Sequence, residues 1–300
     1  MKRTITLLLQ AAAVLLLTAA CQADLLTEQD ETLVPDPSAP IELSGSAPIE
    51  TEASGVVTRA DGDQLPFNLY AVPSNNDSWP ATPYINGASA KLASGSGIAR
   101  GISFSPASYW PVGGQSLKFI GVMKASGTTT LNNSSVSLTA GQGEDKDVLL
   151  SNNFTGNKSS HPGSMTFNRL MARLIVKPGA DNKQVVTCKI NGGNSNATYN
   201  VLTKTTSNKS GTYTISYNTD NSSQTYYLIP GTTISQLTDV TAGSTSKGTI
   251  SLTNSNGANT SFTTAAGYSY TIEVTAEGVV LTVKTTGSIS WGDGNDINLQ

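Results

Sequence analysis

Apolar and polar positions alternate with a period of two along most of the chain. Between residues 268 and 275, Tyr268, Tyr270, Ile272 and Val274 share one face while Ser269, Thr271, Glu273 and Thr275 share the other. That is the pattern of a strand half buried and half wet. Ala276-Glu277-Gly278 then turns the chain into 279–284, where Val279, Leu281 and Val283 are again in phase, so a hairpin is predicted. Tyr213, Ile215 and Tyr217 alternate with Thr212, Thr214 and Ser216; Leu170, Ala172, Leu174 and Val176 alternate with Met171, Arg173, Ile175 and Lys177. Residues 117–123, 185–190, 224–229 and 249–253 read as further strands, parted by Asn, Gly and Ser turns. Outside the first twenty residues no 3.6-residue stripe occurs. Short strands at this spacing predict an all-β chain, and its length predicts two sandwiches. The Asn-Lys-Ser-Ser-His-Pro-Gly run at 157–163 is the most loop-like stretch near the middle, which puts one sandwich at 60–160 and the other at 161–300.

The N-terminus has a different pattern. Lys2 and Arg3 precede an apolar run from Ile5 to Ala20, too short for a membrane span but of the length and flanks of an export signal, here residues 1–20. It ends in Thr18-Ala19-Ala20-Cys21, which resembles the lipobox of bacterial lipoproteins and implies cleavage before Cys21 and acylation of its sulfur. Residues 21–59 are acidic and Pro-rich, with no helical period, and read as a tether. They contain a tandem repeat, Ser38-Ala39-Pro40-Ile41-Glu42 and Ser46-Ala47-Pro48-Ile49-Glu50. Ile41 with Leu43, Ile49, and Val56 with Val57 are short apolar beads of the kind a strand needs, so the tether is expected to carry one.

Charge sharpens this division. Eight carboxylates fall between Asp24 and Glu52, whereas from Ala60 onward 15 basic residues face 13 acidic ones. A near-neutral body offers no electrostatic footprint for nucleic acid. One histidine, His161, and two cysteines, Cys21 and Cys188, exclude the common zinc clusters and any triad that needs a supported histidine. The sparse carboxylates sit in turns rather than in facing pairs, so composition argues against an enzyme, and no cofactor or metal is expected. With Cys21 acylated, Cys188 lacks a disulfide partner in the chain; in phase with Val186 and Ile190, it is expected in the core.

Several short motifs occur in order along the chain. Thr58-Arg59-Ala60 closes the acidic segment; Tyr109-Trp110-Pro111 precedes Leu117-Lys118-Phe119; Asp147-Val148-Leu149-Leu150 precedes a strand from Met165 to Leu174. Tyr227-Leu228-Ile229-Pro230, Gly267-Tyr268-x-Tyr270 and Ile289-x-Trp291-Gly292 complete the series. With the lipobox, this series resembles the fimbrillin family, the lipoprotein subunits of Bacteroidales type V pili. Arg169 stands where a histidine is common in that family, so no role is carried over to it. The resemblance implies two tandem transthyretin-like Greek-key β-sandwiches in a surface-exposed fimbrial subunit anchored by lipid to the outer membrane. It further implies cutting by an Arg-specific trypsin-like protease between Arg59 and Ala60, and polymerisation with other fimbrillin subunits, its own kind or paralogous, by donor-strand exchange. On that reading Ile41, Leu43, Ile49, Val56 and Val57 mark a strand that fills a groove until processing. Ile289, Trp291, Ile297 and Leu299, all on one face, mark a candidate donor strand.

Rival features carry simpler readings. Arg100, in the Gly/Ser-rich stretch 94–101, is the alternative cut site. Gly292-Asp293-Gly294-Asn295-Asp296 is a single copy of a calcium-type repeat that normally works in stacks. Glu144-Asp145-Lys146-Asp147 reads as a solvated turn. Trp79, Tyr84, Tyr109 and Trp110 could form a sugar-stacking platform, which would make the protein a monomeric glycan-binding surface lipoprotein.

Overall fold

The structure is a computed structural model describing residues 33–47, 64–93, 100–124, 128–160, 163–179, 184–220, 222–254, 257–277 and 280–290. Its first half runs β1 (Pro35–Pro40), β2 (Leu43–Ser46), β3 (Leu65–Pro73), β4 (Ile85–Leu92), β5 (Arg100–Ser105), β6 (Tyr109–Pro111), β7 (Leu117–Lys124), β8 (Ser135–Thr139), β9 (Gly141–Gln142), β10 (Val148–Ser151), β11 (Phe154–Gly156) and β12 (Met165–Arg169). The second half runs β13 (Ala172–Pro178), β14 (Val186–Asn191), β15 (Asn196–Asn200), β16 (Thr205–Ser210), β17 (Thr214–Asn218), β18 (Gln224–Leu228), β19 (Thr233–Ile234), β20 (Gln236–Ala242), β21 (Thr245–Ser251), β22 (Phe262–Thr263), β23 (Tyr268–Glu277) and β24 (Val280–Ser290). The described residues contain no α-helix, so the chain is all-β as its alternation predicts.

The first unit is a closed ring of pairings. In order, β10, β12, β2, β5, β4, β3 and β7 are neighbours, and β7 pairs back onto β10, while β11 extends the β7 ladder. Inside the ring Phe67, Leu69, Leu117, Phe119, Met165 and Phe167 are fully buried, with the Phe67 and Phe167 rings edge-to-face at 5.1 Å. The alternate side chains of β3, β7 and β10, among them Tyr70, Val72, Ile120, Val122, Val148 and Leu150, pack outward against Val136, Leu138, Ala197 and Tyr227 in a separate core that joins the two units. Strands buried on both faces read as continuous apolar runs, which is why Leu117–Lys124 shows so little polar alternation.

The second unit is a sandwich of two sheets. One has the order β24, β23, β13, β18, β9 and the other β17, β14, β20, β21. Between them lie Leu174, Val176, Ile190, Ile215, Leu237, Ile272 and Val274, with Cys188 4% exposed among them. Cys188 is therefore a core residue, as its phase predicts, and burial pushes its thiol up to about 12.

Pairing changes sheets later than the loop at 157–163. Asn157 closes a tight turn by accepting the amides of Ser159 and Ser160, and β12 then returns to the first ring beside β10. The crossover is at Leu170 and Met171, between β12 in the ring and β13 in the sandwich, and we place the division between the units there rather than at residue 160. The continuous alternation from Met165 to Leu174 thus spans two strands of different sheets. His161 lies outside the described residues.

Candidate functional site

Residues 33–47, read from the sequence as part of a tether, run along the first unit and end inside its ring. Pro35, Pro37 and Pro40 have no backbone N–H, so the stretch that carries them suits only a sparse edge pairing. β1 accordingly touches β6 at Pro35 opposite Pro111 and Pro40 opposite Tyr109. Val112 donates its amide to the Val34 carbonyl at 2.7 Å, and Ile41 donates to the Ser108 carbonyl at 3.0 Å. On the solvent side the Asp36 carboxylate accepts from the Ser38 hydroxyl and amide, which holds it below the usual carboxylate range, and Lys158 lies 3.7 Å away.

Past Pro40 the alternation takes hold. Ile41 and Leu43 are 5% and 6% exposed and Gly45 is buried, while Glu42 between them is exposed. β2 pairs antiparallel with β5, Leu43 opposite Ile102, Ser44 opposite Gly101 and Gly45 opposite Arg100. Its other edge pairs parallel with β12, Gly45 opposite Met165 and Ser46 opposite Thr166. Among the described residues the four-residue β2 is therefore the only strand joining β5 to β12 in the ring. Without it two backbone edges would face each other across roughly 9.6 Å, twice the strand spacing. Their unpaired N–H and C=O groups would flank an apolar floor, which is what an added strand satisfies. Burying Ile41 and Leu43 contributes about 1.5–3 kcal/mol each.

The far wall of this slot is fixed from behind. Arg169, at the end of β12, makes a buried ion pair with Asp147, just before β10, and both side chains are nearly inaccessible. The sequence reading of Asp147 as part of a solvated turn is corrected here. Glu144–Lys146 form a 3-10 turn on the surface, but Asp147 is fully buried because Arg169, 22 residues later, brings it a cation.

The predicted site residues divide accordingly. Ile41 and Leu43 are brought together in the slot. Ile289 lies in β24 opposite Ser269 of β23. Cys21, Ile49, Val56, Val57, Arg59, Ala60, Trp291, Ile297 and Leu299 lie outside the described residues. Arg100 is not in an open loop; it begins β5 and is 9% exposed, a poor target for a protease. Trp79 and Trp110 are 3% and 1% exposed, so their ring faces cannot stack on a sugar. The Tyr84 hydroxyl donates to the Tyr109 carbonyl at 2.7 Å, tying two of the four aromatics into a packed turn. A cleft of about 70 Å³ beside Tyr70, Trp79, Asn86 and Asn132 has room for a few waters. Met165 opens the motif strand read from the sequence, but Gly45 and Ile102, which shape the slot with it, carry no such signal; Gly45 is marked only by its place between the two copies of the repeat.

The sequence model of the fimbrillin-like family matches residues 57–290, beginning after the segment that supplies β1 and β2. Two solved structures share the fold. One, from Bacteroides uniformis and assigned to cell adhesion, is 16% identical with a TM-score of 0.54, over 85% of this chain and 99% of that one. The other, from Bacteroides ovatus and similarly assigned, is 14% identical with a TM-score of 0.53, over 86% of this chain and 98% of that one. No curated protein matches the chain. With the family match spanning most of the sequence and the all-β architecture shared along nearly the whole length of both structures, the chain belongs to the fimbrillin-like family.

Proposed function

We propose that the chain is a subunit of cell-surface fimbriae that is exported as a lipoprotein on Cys21, cut after Arg59, and joined to its neighbours when a strand from another subunit replaces β2. The observation that carries this reading is the position of β2. A strand from upstream of Arg59 closes a ring whose other members all come from downstream of it. One cut in the intervening stretch turns β2 from part of the chain into a non-covalent occupant, held by short ladders on either side. The buried state of Arg100 further favours Arg59 over its rival. The segment carrying Ile289, which would leave its pairing with β23, together with Trp291, Ile297 and Leu299 supplies the alternating apolar positions for a neighbouring subunit, and acylated Cys21 holds the precursor at the outer membrane until processing.

The test is to digest the full chain with an Arg-specific protease and follow N-terminal sequence and oligomer size. The reading expects a fragment beginning at Ala60 and SDS-resistant ladders, both lost in Arg59→Ala. A stable fragment with another N-terminus would refute the cut site. A strictly monomeric product after complete cutting at Arg59 would refute strand exchange. Cys21→Ala is expected to move the protein from the membrane fraction to the soluble fraction.

A further inference from the structure

Gly45 occupies the slot for reasons of space. Its backbone is not in the left-handed region, so no turn requires glycine there. A Cβ at this position would meet the Met165 carbonyl oxygen at 3.0 Å, the Met165 Cβ at 3.1 Å and the Ile102 Cδ1 at 3.1 Å. Two of these three atoms are backbone or Cβ of β12 and cannot swing aside as a flexible side-chain end would. β12 is itself held by its ladder to β10 and by the buried Arg169–Asp147 pair. Two steps back along the same inward face, Leu43 and Ile41 occupy space lined by the ring core.

We propose that this slot selects its occupant by size at one position, accepting a strand of another fimbrial chain that reads large apolar, any, large apolar, any, glycine, in the direction of β2. This rests on the reading of β2 as an exchangeable strand. The occupant already in place, Ile41-Glu42-Leu43-Ser44-Gly45, is the template. Two other segments of the chain fit it less well. The second copy of the tandem repeat puts Ile49, Thr51 and Ala53 at these three positions, replacing a large apolar side chain with a hydroxyl and adding the Cβ that Gly45 lacks. In the tail, Ile289 and Trp291 bring Asp293 to the glycine position, where a carboxylate would be desolvated against β12. The rule therefore makes this chain's own tail a weaker and slower occupant of the slot than the segment it would replace, and a subunit with glycine at that position a better donor.

The experiment uses the full chain, nicked with an Arg-specific protease and left with its cut segment in place, and fluorescent peptides offered in exchange. The peptide spanning residues 38–47 is expected to enter, Gly45→Ala more weakly, and Gly45→Val at least tenfold more weakly. The repeat peptide 46–55 and the tail peptide 287–300 are expected to fall with the weak group. Ile102→Val in the chain removes one of the three close atoms and is expected to recover part of the Gly45→Ala loss. If the Gly45→Val or tail peptide enters as readily as the native one, size selection is overturned while exchange stands. If even the native peptide fails to enter, the exchange reading falls, and the size rule is judged in the uncut chain. There Gly45→Ala and Gly45→Val are expected to speed hydrogen exchange in β2 progressively, Gly45→Val at least tenfold, with β13 and β23 unchanged; unaltered protection of β2 would overturn the rule.

Discussion

Leu43→Ala removes three carbons from a side chain that is 6% exposed, in a strand with only three cross-strand partners on β5 and two on β12. At roughly 0.8 kcal/mol per buried carbon the transfer loss is about 2.4 kcal/mol. A cavity beneath the strand adds to this, within the 2–5 kcal/mol range of such truncations, so about 3 kcal/mol is expected. If β2 opens as a unit, that loss falls on its local opening equilibrium and corresponds to roughly a hundredfold faster hydrogen exchange of the amides in β2 and on the facing edges of β5 and β12. Leu237→Ala, in the core of the second sandwich and fully buried, is the control. It should cost a similar amount while leaving β2 exchange unchanged. Native-state hydrogen exchange read by mass spectrometry resolves the two. A loss under about 0.5 kcal/mol, or an equal loosening of both units, would refute the view that β2 is separately held.

The remaining predictions concern the frame around the slot. Arg169→Leu strands a fully buried Asp147 carboxylate without its cation and should cost about 3–5 kcal/mol in urea unfolding, whereas a surface pair such as Lys189 with Asp239 should cost under about 1 kcal/mol. Burial first, and then neighbouring ionisable groups, push the Tyr217 and Tyr226 phenols from 10.0 up to about 12. Because the folded values lie above the unfolded ones, their stabilising contribution is complete below pH 10 and is lost between pH 10 and about 12; Tyr217→Phe with Tyr226→Phe should flatten that fall in a series of melts. Cys188, with its thiol likewise raised to about 12, should resist alkylation at pH 8 in the folded protein and react once urea unfolds it.

Much of the second sandwich was legible because its inward and outward faces differ in polarity. Ile272 and Val274 are buried where the alternation places them, and Ile215 and Tyr217 likewise. The first ring was harder. β4, Ile85–Leu92, turns Ala88 and Ala90 inward, small residues that leave room for Phe67 and Phe167 but carry little apolar signal of their own. β16, rich in Thr, Ser and Lys, is almost wholly exposed and forms through backbone pairing with no apolar face to announce it. The burial of Asp147 depends on a residue from another strand, and the tightness around Gly45 depends on Ile102 and Met165. No local window contains these pairs. The same limit put the division at residue 160: Asn157–Ser160 is a turn within the first unit, and only tertiary pairing shows β12 returning to it. Of the slot itself, the sequence revealed the apolar beads at Ile41 and Leu43 and left their walls unidentified.

The central claim is that β2 must leave for subunits to join, and a reversible tether across the slot tests it most directly. Ser44 faces Gly101 across the antiparallel ladder, at about 4.5–5.5 Å between Cα atoms, within the roughly 4.4–6.8 Å that a disulfide spans. A Cβ at Gly101 meets no atom within 4 Å, and Cys188 is buried and does not compete. Ser44→Cys with Gly101→Cys, oxidised and then cut with the Arg-specific protease, should yield no SDS-resistant ladders until reductant is added, after which ladders should form as in the unaltered chain. Equal polymerisation with the disulfide intact, verified by mass, would contradict the account.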